Sequence, residues 1–88
     1  MANILVVCDT KKRAKELFTA WYETLGEYNI RFRTLLDICC IDIIGGNTFR
    51  FISDHEAEDK VRGWHGEVMS DTEFERHLKE IREEGGAG

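Results

Sequence analysis

The sequence predicts a small α/β domain with a mixed sheet and elements in the order β-α-β-β-β-α. Three observations lead there. A β-branched apolar run, "NILVVC" (Asn3–Cys8), is followed at once by a segment with helical apolar spacing. Two β-rich arms then flank "GGNT" (Gly45–Thr48), which marks a hairpin. A second helical pattern runs from about Asp71 to Glu84. The 88 residues suffice for one domain, placed over residues 1–84, with "GGAG" at 85–88 as a flexible tail.

Asn3–Cys8 reads as a strand buried on both faces, because its apolar residues do not alternate with polar ones. Asp9 and Thr10 supply side chains able to cap a helix. Ala14, Leu17, Phe18, Trp21 and Leu25 then form one apolar stripe, and Gly26 fits a left-handed cap behind it. "NIRFRTLL" (Asn29–Leu36) alternates with the period of a strand, and "DICCIDII" continues in β-rich residues up to the Gly-Gly-Asn turn. In the arm beyond the turn, Phe49 and Phe51 share one face, with Arg50 and Ile52 on the other. "DHEAEDKVRGWHG" (Asp54–Gly66) is a short solvated helix or a loop, with Trp64 over the edge of the core. Phe74, Leu78 and Ile81 give the final helix its inner face. The expected assembly is a parallel strand pair joined by a right-handed helical crossover, then the hairpin, then the last helix on the sheet.

Composition narrows the function classes. No apolar run approaches the roughly 20 residues of a membrane span, so a cytoplasmic protein is expected. Cys8, Cys39 and Cys40 are an odd set without a zinc-ligand pattern and read as small buried or half-buried residues. Residues 1–50 carry seven Lys/Arg against six acids, and residues 51–88 five against eleven, giving the net charge of −5. Such a balance opposes general DNA binding, which needs a basic footprint, and suits contact with a basic protein surface.

No GxxxxGK[ST] or GxGxxG segment occurs, and Gly45-Gly46-Asn47 lies between strands as a turn. Ser53, Asp54 and His55 are neighbours in sequence without the arrangement of a triad, and His65 and His77 lack partners at metal-binding spacing. No catalytic residue, metal or cofactor is expected. The acidic group Asp54, Glu56, Glu58 and Asp59, with Trp64, is the candidate surface for a protein partner; its bland reading is a solvated face. Thr10, Lys11, Lys12, Arg13 and Lys15 are candidate phosphate or nucleic-acid contacts, since strand-end loops of α/β domains hold ligands. Cations at a helix start oppose the dipole, which hints at function, although a solvated face is the simpler account of them.

"GEVMSDTEFERHL" (Gly66–Leu78) admits two readings. It is the acidic end of a nucleotide-binding strand, or it is a helix start. In the second reading Ser70 and Glu73 form a capping box, Met69 and Phe74 a hydrophobic staple, and Asp71 favours the dipole.

The order of segments resembles phage terminase large subunits and related helicases, from the strand that follows their P-loop helix onward. "NILVVCDTKKRAKELFTAW" (Asn3–Trp21) is similar to their strand-to-helix segment, and "IDIIGGNTFRFIS" (Ile41–Ser53) to the hairpin they carry next. "DKVRGWHG" is similar to their Arg-Gly motif, with Arg62 and Gly63 in the matching positions; "EVMSDTEFE" lies where the Walker B strand and its acids, here Asp71 and Glu73, belong. The phosphate loop is missing, and Thr72 separates the two acids, so the resemblance implies a shared α/β core or a remnant adapted to another use. The expected function is a non-catalytic, phage-encoded protein-binding or inhibitor module in the host cytoplasm, acting through its acidic C-terminal half. A nucleic-acid accessory factor is the alternative, and a degenerate NTPase-like module completed in trans is the third reading.

Overall fold

A computed structural model describes residues 2–87, with the side chains of His55, Glu56 and residues 84–87 outside the description. The order is β1 (Asn3–Cys8), α1 (Lys11–Glu27), β2 (Phe32–Leu35), a 3-10 turn (Leu36–Ile38), β3 (Cys40–Ile43), β4 (Thr48–Ser53), α2 (Asp54–Arg62), β5 (Glu67–Ser70) and α3 (Asp71–Ala87). The strands form one five-stranded mixed sheet in the order β2-β3-β4-β1-β5. β1 runs parallel to both neighbours, and β2-β3-β4 is an antiparallel meander.

The α/β class holds, and two elements extend the expected order. α2 forms over the acidic segment, and β5 forms where only Val68 and Met69 are apolar. β1 supplies β5 with an edge to pair on, in register from Ile4↔Glu67 to Val7↔Ser70. Gly66 makes that approach possible: its φ is +149°, and a Cβ there would lie 2.1 Å from the Asn3 carbonyl oxygen. Trp64 donates its indole Nε1–H to the same carbonyl at 3.2 Å, so it does sit at the edge of the sheet.

The parallel pair differs from expectation. β1 and β2, which α1 joins, are not neighbours; β1 pairs with β4 and β5. β4 is apolar on both faces through Phe49, Phe51 and Ile52, which suits an interior strand, whereas Arg33 and the exposed Leu35 leave β2 at the edge.

α1 and α3 lie together on one face. Ala14, Leu17, Phe18, Trp21 and Leu25 of α1 pack with Phe74 and Leu78 of α3 on Ile4, Val6, Cys8, Ile41, Phe49 and Phe51. Phe74 is the hub, 1% exposed and edge-to-face with Trp21, Phe49 and Phe51 at centroid distances of 5.6, 5.8 and 5.0 Å. Leu5 and Ile52 alternate to the opposite face and are buried there, where α2 packs against β1 and β4.

Local signals explain most boundaries. Thr10 caps α1 by accepting the Arg13 amide at 3.0 Å. The other end corrects the sequence reading: α1 runs through Gly26 to Glu27, and the left-handed residue is Asn29, φ +57°. The Asn29 amide reaches the Gly26 carbonyl and the Ile30 amide the Leu25 carbonyl, the paired bonds of a Schellman end. Asn tolerates that conformation through its short polar side chain, so the glycine is not needed for it. A second departure is at "LDIC", where the β-rich run breaks into the 3-10 turn and Cys39 adopts φ +47°. The Gly-Gly-Asn turn joins β3 and β4 as expected, with Gly45 at φ +80°. α3 runs to Ala87, past the expected end at Glu84; Gly88 of the expected tail lies outside the described residues.

Candidate binding site at the carboxyl ends of the parallel strands

β1, β4 and β5 point the same way, so their carboxyl ends gather three chain segments: Cys8-Asp9-Thr10, Ser53-Asp54 and Ser70-Asp71. At β1 and β4 the chain leaves to opposite faces of the sheet, to α1 and to α2. Such divergence opens a crevice, the usual place for a ligand in an α/β sheet.

The readings of "MSDTEF" meet here. The stretch is the end of a strand and the start of a helix at once. Ser70 Oγ accepts the Glu73 amide at 3.1 Å, one half of the expected capping box. The return bond from Glu73 is not among the hydrogen bonds of the described residues. Asp71 is buried and binds its own surroundings: it accepts the Thr72 amide at 2.8 Å and the Asp9 amide at 3.4 Å. Its Oδ2 also lies 3.7 Å from Arg13 Nε, and Arg13 further pairs with Glu75 and with Glu16 at 4.0 Å. Both partners of this junction tie α1 to α3 across the sheet end. Arg13 is therefore occupied by acids, and Thr10 by its capping bond.

Lys11, Lys12 and Lys15 are exposed, and the structure separates them from Arg13. Lys11 and Lys15 line a cavity of about 290 Å³ with Ala14, Asp37, Ile38, Cys39, Arg50, Phe51, Ile52 and Ser53. It exists because β3 begins only at Cys40, opposite Arg50, leaving the last residues of β4 without a ladder partner on that side beyond the Phe51 amide bonded to the Cys39 carbonyl. Arg50 and Ser53 line it, and among the described residues Arg50 Nε and Ser53 Oγ are buried without a hydrogen-bond partner. Ser53 occupies the N-cap position of α2 without using its hydroxyl to cap. Sequence reasoning places Arg50 on the strand face opposite Phe49 and finds no triad at Ser53, but assigns neither to a site. A lone Arg between apolar strand residues is the signal that could have found it.

The acidic candidates are distributed along α2. Asp54, Glu58 and Asp59 are exposed, Trp64 is half-buried, and the Glu56 side chain lies outside the described residues. Arg62 ends α2 and lies 3.7 Å from Glu58, while Gly63 is its C-terminal cap. Arg62–Gly63 and Asp71–Glu73 thus sit at opposite ends of β5, and only the second pair reaches the carboxyl edge.

Burial holds two of the three thiols, Cys8 and Cys40, in the neutral form. Burial, reinforced by the Asp71 carboxylate, pushes the Cys8 thiol up to about 12, and burial also raises that of Cys40. Cys39 is half-buried, and all three are free. On β3, hydrogen bonds from Thr48 and Arg33 hold the Asp42 carboxyl below its usual range. Among the described residues no group of three or more His, Cys, Asp or Glu is placed to hold a metal ion, and no helix is long and apolar enough to cross a membrane.

The meander also leaves large aliphatics uncovered. Leu35 and Leu36 are 60% and 69% exposed, with Ile38 exposed beside them, and Ile44 at the other end of β3 is 57% exposed. Comparison with protein families, curated proteins and solved structures finds no match for this chain.

Proposed function

We propose that this chain is a non-catalytic binding module that engages another protein through the β2–β3 meander. The observation that carries the reading is the exposure of Leu35, Leu36, Ile38 and Ile44 on one hairpin, at the edge of the sheet. Scattered exposed aliphatics need no explanation, but Leu35, Leu36 and Ile38, close together where edge strand β2 enters the 3-10 turn, mark a contact surface or an aggregation hazard. β2 forms the outer edge, so an extended segment of the partner can pair with its free backbone groups while apolar side chains cover Leu35 and Leu36. Asp54, Glu58 and Asp59 on α2 add a negative field that speeds encounter with a basic partner.

This placement moves the main contact from the acidic half to the hairpin and leaves the acids a steering role. Affinity capture from the native cell extract with wild type and Leu35→Ser/Leu36→Ser tests it. The double variant should lose the captured protein, while Asp54→Asn/Glu58→Gln/Asp59→Asn should retain it with weaker capture and less salt dependence. Equal capture by wild type and the leucine variant sinks the reading.

A further inference from the structure

The cavity beside β4 is a second site, which borrows Asp37, Ile38 and Cys39 from the β2–β3 turn but does not depend on the protein contact. We infer that it binds a small phosphomonoester, held by Arg50, Lys11, Lys15 and the hydroxyl of Ser53.

Charge is the first argument. Lys11, Lys15 and Arg50 face Asp37 as the one acid on the cavity lining, a local excess of positive charge in a chain whose net charge is −5. Among the described residues none of these three cations forms an ion pair, in contrast to Arg13, which lies between Lys11 and Lys15 in sequence on another side of α1. The first turn of α1 holds no acid to offset its dipole, so cations there are unfavourable until an anion arrives.

Unsatisfied polar atoms are the second argument. Ser53 is 2% exposed and lines the cavity, and among the described residues its Oγ has no hydrogen-bond partner; the half-buried Arg50 also lines it, and its Nε is likewise unpaired there. A buried hydroxyl and a buried guanidinium N–H left unpaired each carry a desolvation cost that an oxyanion removes. The donor set matches phosphate: a guanidinium fork, two ammonium groups and a hydroxyl, all donating to tetrahedral oxygens.

Size selects the class. About 290 Å³ is at the lower end for small-ligand sites and encloses a phosphate with a small organic group. Ile38, Phe51 and Ile52 on the lining supply apolar contact for that group.

Thermal unfolding of the full chain, at constant ionic strength, tests the inference with three probes: inorganic phosphate, glycerol phosphate and a thymidine oligonucleotide without terminal phosphate. Phosphate and glycerol phosphate at roughly five times their dissociation constants should raise Tm by about 4–8 °C, a shift that chloride does not give. Lys11→Gln/Lys15→Gln, both exposed and neutral to folding, should weaken phosphate at least about tenfold. Ser53→Ala should weaken it severalfold while leaving the unliganded protein as stable as wild type or more so, because a buried unpaired hydroxyl is removed. Absence of a phosphate shift, retention of it in either variant, or a shift with the oligonucleotide alone overturns the proposal.

Discussion

The two faces of the sheet are finished differently. One is closed: α1 and α3 cover β1, β4 and β3 with an aromatic cluster centred on Phe74. The other is closed only over β1 and β4 by α2, and beyond it Arg33, Leu35 and Asp42 stand on open sheet. Both faces contain large apolar residues, so apolarity does not distinguish them. What differs is whether a helix is placed to cover them. Stability should therefore concentrate on the first face, and surface free for contact on the second.

The largest test of that contrast is Phe74→Ala, which should cost about 3–5 kcal/mol and leave this small domain largely unfolded. Denaturant titration measures it, with Phe74→Leu as the milder version if the alanine variant does not fold. A cost below about 1 kcal/mol would show that the aromatic cluster is not the core.

Next in size is the pH response of Cys8, on the closed face. Its thiol is neutral in the folded state up to about 12, against 9.0 ordinarily. Between those values the unfolded chain loses the proton and the folded chain keeps it, so stability is full below pH 9 and falls as pH rises toward 12. The slope from this one group reaches at most about 1.4 kcal/mol per pH unit. Cys8→Ala should flatten that part of the stability-versus-pH curve, read as the difference from wild type. Identical slopes would place Cys8 in a more solvated site.

Ser70→Ala should cost about 1 kcal/mol, since it removes the cap of α3 at the carboxyl edge. The smallest effect belongs to the open face: Leu35→Ser should change stability by less than about 0.5 kcal/mol. A loss comparable to Phe74→Ala would mean that the hairpin is part of the core after all.

Much of this was legible because it is local. The stripe from Ala14 to Leu25 and the run Asn3–Cys8 are continuous patterns, and Gly45-Gly46-Asn47 declares its own turn. Ser70 and Glu73 were readable as a cap for the same reason. β5 was not, since two apolar residues do not make a pattern; its strand character comes from the edge of β1. Gly26 misled because a glycine near a helix end suggests a stop, while the left-handed turn fell to Asn29. At the site, Lys11 and Lys15 were singled out in sequence, but their companions Arg50 and Ser53 arrive through the β1–β4 pairing. No spacing rule spans that separation. Arg13 looked like one of the same cationic group until α3 brought Asp71 and Glu75 to it.

The position of β1 between β4 and β5 also has a bearing on synthesis. This strand, apolar on both faces, is translated before either of its partners, residues 48–53 and 67–70. Until those have been translated it has no ladder to join, and every pairing it makes closes a long loop. A nascent or truncated chain lacking residues 67–70 would carry a bare β-branched edge, open to pairing with other chains. Production of this protein should accordingly be sensitive to anything that slows the ribosome before Ser70.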